Sequence, residues 1–375
     1  MLLTLIRRRW TVIAVIAVVA ILAVVGAVVA FGGSGARSTA GPGGDTGSGD
    51  TGGGGAVEVN TAGITFADRL VVYNGRSHYG DEQVFREFEE KTGVQIELRG
   101  GTAPELFERL RQEGDDTPAD LLITTDLANL WRAEEAGLLQ NVTSKTLQAQ
   151  VPERLHDGAG AWWALATRLR VPVVSTERVP EGAVTSYTAF GDPRFAGRTC
   201  LRTSNSEYNQ SLVADMIVKR GREATAELLR SWMANDPKIL GSDGEMLAVM
   251  AAGDCDVGLS NHYYLARALK DNPDFPVAPA WPDQNGAGAH TNVSGVGVVR
   301  GSDAVPTAVA LMEWLTSPPA QEEIVSLGEF AANPDVPPPA YIRDWADVKT
   351  DPIDVEQAGP RLGEAVALML EVGWN

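Results

Sequence analysis

Cysteine is nearly absent from this chain. Only Cys200 and Cys255 occur in 375 residues, so neither a disulfide-dense scaffold nor a cysteine-rich zinc module can be built. Histidine is almost as scarce. His78, His156, His262 and His290 are scattered, and no CxxC or HExxH run accompanies them, which excludes the usual zinc signatures. There is no GxSxG, no phosphate-binding P-loop and no Cys–His pair suited to a nucleophile, so nothing points to an exported enzyme of those classes. Basic residues are outnumbered, 31 Lys and Arg against 49 Asp and Glu, for a formal net charge of −18. So acidic a chain offers no footprint for nucleic-acid phosphates. It agrees with a cation as ligand, although the same charge also serves solubility.

Residues 1–31 decide the expected compartment. Arg7-Arg8-Arg9 precede an apolar run from Trp10 to Phe31. A run of about 20 residues can span a bilayer, whereas a cleaved signal has a shorter apolar region of roughly 7–15 residues. The positive-inside rule leaves the arginines in the cytoplasm and the rest outside. The expectation is an uncleaved single-pass anchor; cleavage after Ala30 or Ala36, giving a secreted protein, is the alternative. Residues 32–66 are assigned to a linker, rich in Gly, Ser, Thr and Asp as far as about Ala56. About 24 such residues reach roughly 25–30 Å as a flexible coil.

A βα rhythm follows. Arg69–Tyr73 reads as a strand, and Val84, Phe85 and Phe88 give the next helix one apolar face ending at Gly93. Val94, Ile96 and Leu98 alternate as a second strand, and Thr102 with Glu105 forms a capping box for the following helix. Ala119–Ile123 is a third strand, and Asp126 can cap the helix after it. This order implies a parallel sheet with right-handed crossovers. Trp162–Ser175, an apolar stretch broken by Arg168 and Arg170, is long enough for two strands and reads as a first crossing between lobes. The rhythm repeats from Arg198, and Asn292–Arg300 is the return crossing. The expected boundaries are 67–167 for the first part of lobe 1, 168–292 for lobe 2, and 293–375 for the return to lobe 1 with the C-terminal helices. A cleft between lobes is a preferred small-ligand site.

One stretch stands out. Tyr263-Tyr264 follows the apolar run Cys255–Leu259, placing two phenols just past a strand's C-terminal end, where ligands bind in open α/β sheets. The pair is either a packing feature or a pair of phenolate ligands for a hard, acidic metal ion. Cys200 and Cys255 begin two strands of one lobe, so a disulfide between adjacent strand starts is expected.

Several motifs in one order carry a family resemblance. They are Tyr73-Asn74-Gly75-Arg76 with His78-Tyr79, Pro118-Ala119-Asp120-Leu121-Leu122, Ser204 to Ser211, Asn261-His262-Tyr263-Tyr264, Asn292 to Gly297, and the terminal Gly373-Trp374. From about Leu70 to Trp374 the chain resembles the ferric-iron-binding, substrate-binding proteins of ABC importers. The resemblance implies a two-lobed, type II-like periplasmic-binding-protein fold with two hinge crossings. It implies Fe³⁺ as cargo, held by His78 and Tyr79 from the first lobe and by Tyr208, Tyr263 and Tyr264 from the second. A synergistic anion such as carbonate belongs to the same picture. So do a permease with its ATPase as partners, and a monomeric, non-enzymatic receptor. Arg76, Arg202 and Arg168 are the candidates to offset phenolate charge or hold an anion. His262 is expected to support the site with its ring turned away from its neighbours. One branch of the family supplies a carboxylate after the third strand; here Thr125, not Asp126, stands at that position, which selects the tyrosine-rich branch. Ser77 separates Arg76 from His78, where the family often runs Arg-His-Tyr. The competing cargo is an iron chelate or small organic anion held by Arg76 or Arg168.

Overall fold

The structure is a computed structural model that describes residues 56–76 and 82–375. The expected membrane anchor, most of the linker, and His78 and Tyr79 lie outside the described residues. Among the described residues no helix is long and apolar enough to cross a membrane.

Part of the stretch assigned to the linker is paired strand. Val57–Glu58 runs parallel to Val142–Thr143, and Val59 is buried. Val57 and Val59 donate to the carbonyls of Asn141 and Thr143, so the end of the stretch assigned to the linker is tied to the fold. That pairing is with chain distant in sequence, and local composition carries no sign of it.

Strands β1 (Arg69–Asn74), β2 (Gln95–Gly100) and β3 (Leu121–Thr124) are parallel, with β1 in the middle. Helices α1 (Gln83–Thr92) and α2 (Ala103–Glu113) connect them. Gly93 ends α1 in the left-handed region at φ 79°, a conformation that favours glycine. Thr102 and Glu105 cap α2 reciprocally. Helix α3 (Leu127–Glu135) starts from Asp126, whose side chain accepts from the Ala128 N–H.

The stretch long enough for two strands is a single one, β4 (Trp163–Ser175), 13 residues long. Further strands are β5 (Thr199–Arg202), β6 (Lys238–Leu240), β7 (Val257–Asn261) and β8 (Ala289–Val299). Across the sheet the order is β2-β1-β3-β8-β4-β7-β5-β6. Strand β4 changes partners midway. Trp163 to Leu169 pairs antiparallel with β8, and Arg170 to Val174 pairs antiparallel with β7. The result is two α/β lobes joined along β4. Arg168 and Arg170 do not break the strand because both are buried against carboxylates, Asp126 and Asp243.

Helix α4 (Glu207–Arg220) follows β5; α5 (Asp243–Ala251) packs on β5 and β7, and α6 (His262–Asp271) on β7 and β4. The disulfide joins Cys200 and Cys255 across 5.9 Å between Cα atoms. The last helix, α7 (Leu362–Glu371), packs against α4. Trp374 meets Trp232 edge-on at 6.0 Å and donates its indole N–H to the Arg202 carbonyl at 2.8 Å. Helical spacing reveals that α7 has an apolar face; it does not reveal which surface that face covers.

Candidate functional site

The candidate ligands sit where two parallel strands end. Strands β5 and β7 are parallel neighbours, so α4 and α6, which follow them, start side by side. Tyr208 is in the first turn of α4, and Tyr263 and Tyr264 are in the first turn of α6. Helix N-termini favour negative charge through the macrodipole, an environment suited to phenolates. The loop before α4 is held by Asn209, whose Nδ2 donates to the carbonyls of Arg202 and Thr203 at 3.1 and 3.0 Å.

The three phenols form one group. Tyr208 and Tyr263 are buried, and Tyr264 is half-buried. The rings of Tyr263 and Tyr264 are 4.5 Å apart, tilted by 33°. Burial, aided by the Glu207 charge, pushes the Tyr208 phenol up to about 12, while Arg168 and a hydrogen bond from Tyr263 oppose the rise. Without a metal ion on its oxygen Tyr208 is therefore neutral at ordinary pH.

Cations surround the group. The Arg168 and Arg202 guanidiniums lie 5.0 and 5.4 Å from the Tyr208 ring centre, and Arg267 lies 4.9 Å from that of Tyr263. Among the described residues Arg202 Nε and Nη1 are buried without a hydrogen-bond partner. Burial works to lower the Arg202 pKa, but Asp243 and the three tyrosines carry it upward. Arg168 is buried against Asp126, Nη2 to Oδ2 at 3.2 Å. Arg76 is buried as well. It pairs with Glu329 at 2.8 Å and donates to Ser294 Oγ at 2.6 Å.

Three of the residues weighed from sequence have structural work. Asp126 accepts from Ala128, Ser211, Asn292 and Arg168, which occupies its carboxylate. Thr125 donates to Glu207 Oε1 at 2.6 Å. His262 is fully buried, its ring stacked on Phe330 at 4.7 Å, and its Nδ1 accepts from the Leu169 N–H at 3.0 Å. Burial pushes its pKa down to about 3. Its ring ties the start of α6 to β4.

Sequence reasoning missed three residues that organise this group. Arg170 forks onto Asp243 at 3.0 and 3.3 Å and reaches Asn261 Oδ1 at 3.1 Å. Asn261 in turn donates from Nδ2 to Tyr263 Oη at 3.2 Å. An arginine inside an apolar run was the available signal, because a buried arginine needs a carboxylate. Cavities of 280 and 840 Å³ lie elsewhere; neither is lined by the candidate tyrosines, Arg76 or Arg168.

Residues 83–350 match the model of the bacterial extracellular solute-binding proteins. Iron uptake protein A1 of Synechocystis is 35% identical over 314 residues, covering 81% of this chain and 87% of its own. The Fe(3+)-binding periplasmic protein of Serratia marcescens is 26% identical over 315 residues, covering 81% of this chain and 90% of its own. Among solved structures, the Trichodesmium protein IdiA (FutA), determined with iron and citrate ligands, has a TM-score of 0.76 and 32% identity, covering 82% of this chain and 100% of that one. Two lobes, parallel strands ending at a shared tyrosine group and these likenesses agree: the chain belongs to the bacterial extracellular solute-binding proteins, within their ferric-iron-binding group.

Proposed function

We propose that this protein is an extracytoplasmic receptor that captures Fe³⁺ between its lobes and delivers it to an ABC permease and ATPase. Tyr208, Tyr263 and Tyr264 are the ligands from one lobe, with His78 and Tyr79 completing the site from the other. The observation that carries this is the grouping of three phenols at two adjacent helix starts, beside an arginine with unspent N–H donors. The names of the relatives, iron uptake and Fe(3+)-binding proteins, support the same cargo.

The chemistry favours the trivalent ion. Tyr208 at about 12 needs a strong Lewis acid to lose its proton near neutral pH, and a multivalent cation on the oxygen supplies that push. A divalent ion pushes less, so a phenolate-rich site selects Fe³⁺. Imidazole is compatible with iron as a further ligand. Four phenolates and one Fe³⁺ sum to −1, which Arg202 offsets. A synergistic anion such as carbonate has Arg202 as its natural contact. The competing cargo, an organic anion held by Arg76 or Arg168, is disfavoured because carboxylates already engage both arginines. Closure of the lobes follows from ligands that engage from both sides only when the cleft is shut. Residues 1–31 anchor this monomeric receptor to the membrane and the Gly-rich stretch tethers it.

The test is direct. Purified protein mixed with ferric citrate is expected to gain a visible phenolate-to-iron charge-transfer band, and Tyr263→Phe to lose most of it. A wild-type protein that stays colourless and retains no iron overturns the proposal.

A further inference from the structure

The side-chain amide of Asn261 is fixed at both ends. Its Oδ1 accepts from Arg170 Nη1 at 3.1 Å, and its Nδ2 donates to Tyr263 Oη at 3.2 Å. A guanidinium has donors only. The amide oxygen must therefore face Arg170, and turning the amide over would set donor against donor. Arg170 has no freedom to follow. It is 2% exposed, forked on Asp243, and its Nε donates to Asn209 Oδ1 at 2.8 Å. Asp243 also accepts from the Asn261 backbone N–H at 3.3 Å, and the ladder pairs Asn261 with Arg170 between β7 and β4. The N–H aimed at Tyr263 is thus held by a charged pair on two other elements.

A phenol oxygen approached by a fixed donor has fewer directions left for its own proton. Tyr208, the co-ligand proposed above, lies close enough to interact with the Tyr263 phenol, and the donor on one side of that oxygen leaves its other side for the co-ligand. When Tyr263 ionises, the same N–H becomes a bond to an anion, roughly twice as strong as one between neutral groups. An asparagine supplies this without adding charge to a site that already carries Arg202, Arg168 and Arg267.

We propose that Asn261, locked by Arg170 and Asp243, is a positioning residue that donates to the Tyr263 phenolate oxygen and sets the electronic character of its bond to iron. The proposal rests on the iron-binding reading above. A donor on the phenolate oxygen stabilises that oxygen's electrons. Charge transfer to Fe³⁺ then needs more energy, and release of iron is slower. Asn261 touches no metal and acts through Tyr263.

The experiment loads the full chain with ferric citrate and records the visible band and the phenolate C–O stretch by resonance Raman in H₂O and D₂O. The wild type is expected to show a D₂O-sensitive phenolate mode. Asn261→Asp keeps an oxygen for Arg170 and replaces the N–H donor. It is expected to move the band to longer wavelength, to remove the D₂O sensitivity, and to speed iron release to excess citrate on the order of tenfold. A coloured wild type without any D₂O-sensitive phenolate mode overturns the inference and leaves the iron reading standing, even if the variant does not fold. An Asn261→Asp protein with an unmoved band and an unchanged D₂O shift overturns it too. A wild type without a band removes the iron reading and the inference together.

Discussion

Ser211 donates its hydroxyl to the carboxylate of Asp126, 2.8 Å from one oxygen and 2.9 Å from the other. Ser211 lies on α4 and Asp126 at the start of α3, so this contact joins the helix carrying Tyr208 to the other lobe. Asn292 and Arg168, from β8 and β4, complete the cage. Burial raises the Asp126 pKa, with Arg168 opposing. The carboxylate oxygens of Asp126 are thus engaged by protein donors from α3, α4, β4 and β8.

Replacing it separates structural support from coordination. Asp126→Ala leaves the buried Arg168 without its carboxylate, and removing one partner of a buried pair costs about 3–5 kcal/mol. Urea unfolding of the iron-free protein is expected to show that loss, while the charge-transfer band of the loaded protein keeps its position. A band abolished at unchanged stability would instead make Asp126 a ligand.

The disulfide is expected to matter for folding and not for colour. Cys200 and Cys255 are 55 residues apart, and closing a loop of that size in the unfolded chain stabilises by about 4 kcal/mol in the chain-entropy model. The tyrosines sit beyond the opposite, C-terminal ends of the strands involved. A Cys200→Ala/Cys255→Ala double variant should therefore lose roughly that stability in denaturant while binding iron with an unchanged spectrum. Loss of the spectrum in a folded double variant would contradict this.

What the sequence disclosed was local. The capping box at Thr102 and Glu105, the Gly93 stop, the Asp126 cap and the tyrosine pair after a strand all depend on residues within a few positions of each other. The Tyr208 assignment came from resemblance, and Tyr208 does lie with Tyr263 and Tyr264. What stayed hidden were pairings across the fold. Glu329 is 253 residues from Arg76, and Asp243 is 73 from Arg170. No periodicity marks such partners, because tertiary packing selects them. The same holds for α7, whose apolar face was visible and whose place against α4 was not.

Gly75 makes a prediction about the backbone just before His78. Its N–H donates to the Ile123 carbonyl at 2.8 Å, and a Cβ there would lie 2.9 Å from that carbonyl oxygen and 3.3 Å from Thr124 Cα. Both obstacles are backbone, so relief requires moving β1 from β3. Gly75→Ala is expected to cost about 1–3 kcal/mol and to shift the adjacent Arg76 from Glu329. Thermal unfolding measures the first effect. Iron retention against citrate measures the second, since Arg76 lies two positions before the proposed ligand His78. An Ala variant with wild-type stability and retention would show that the strands yield freely.

Glu134 makes the pH prediction. Its carboxyl can reach within 4.8 Å of those of Asp157 and Glu356. Burial, followed by the charges of those two neighbours, pushes its pKa up from 4.5 to about 7. The folded state thus binds this proton more tightly than the unfolded chain. Below pH 4.5 the group is protonated in both states and costs nothing. As pH rises from there through 7, the folded protein must ionise a half-buried carboxyl beside two others, and stability falls. Full conversion of the shift would be about 3 kcal/mol. Solvent screening of a half-buried group reduces it to about 1–2 kcal/mol. Glu134→Gln should therefore match the wild type at pH 4 and exceed it by that amount at pH 8, read from urea midpoints at both pH values. A difference that is the same at the two pH values would assign the effect to packing instead of charge.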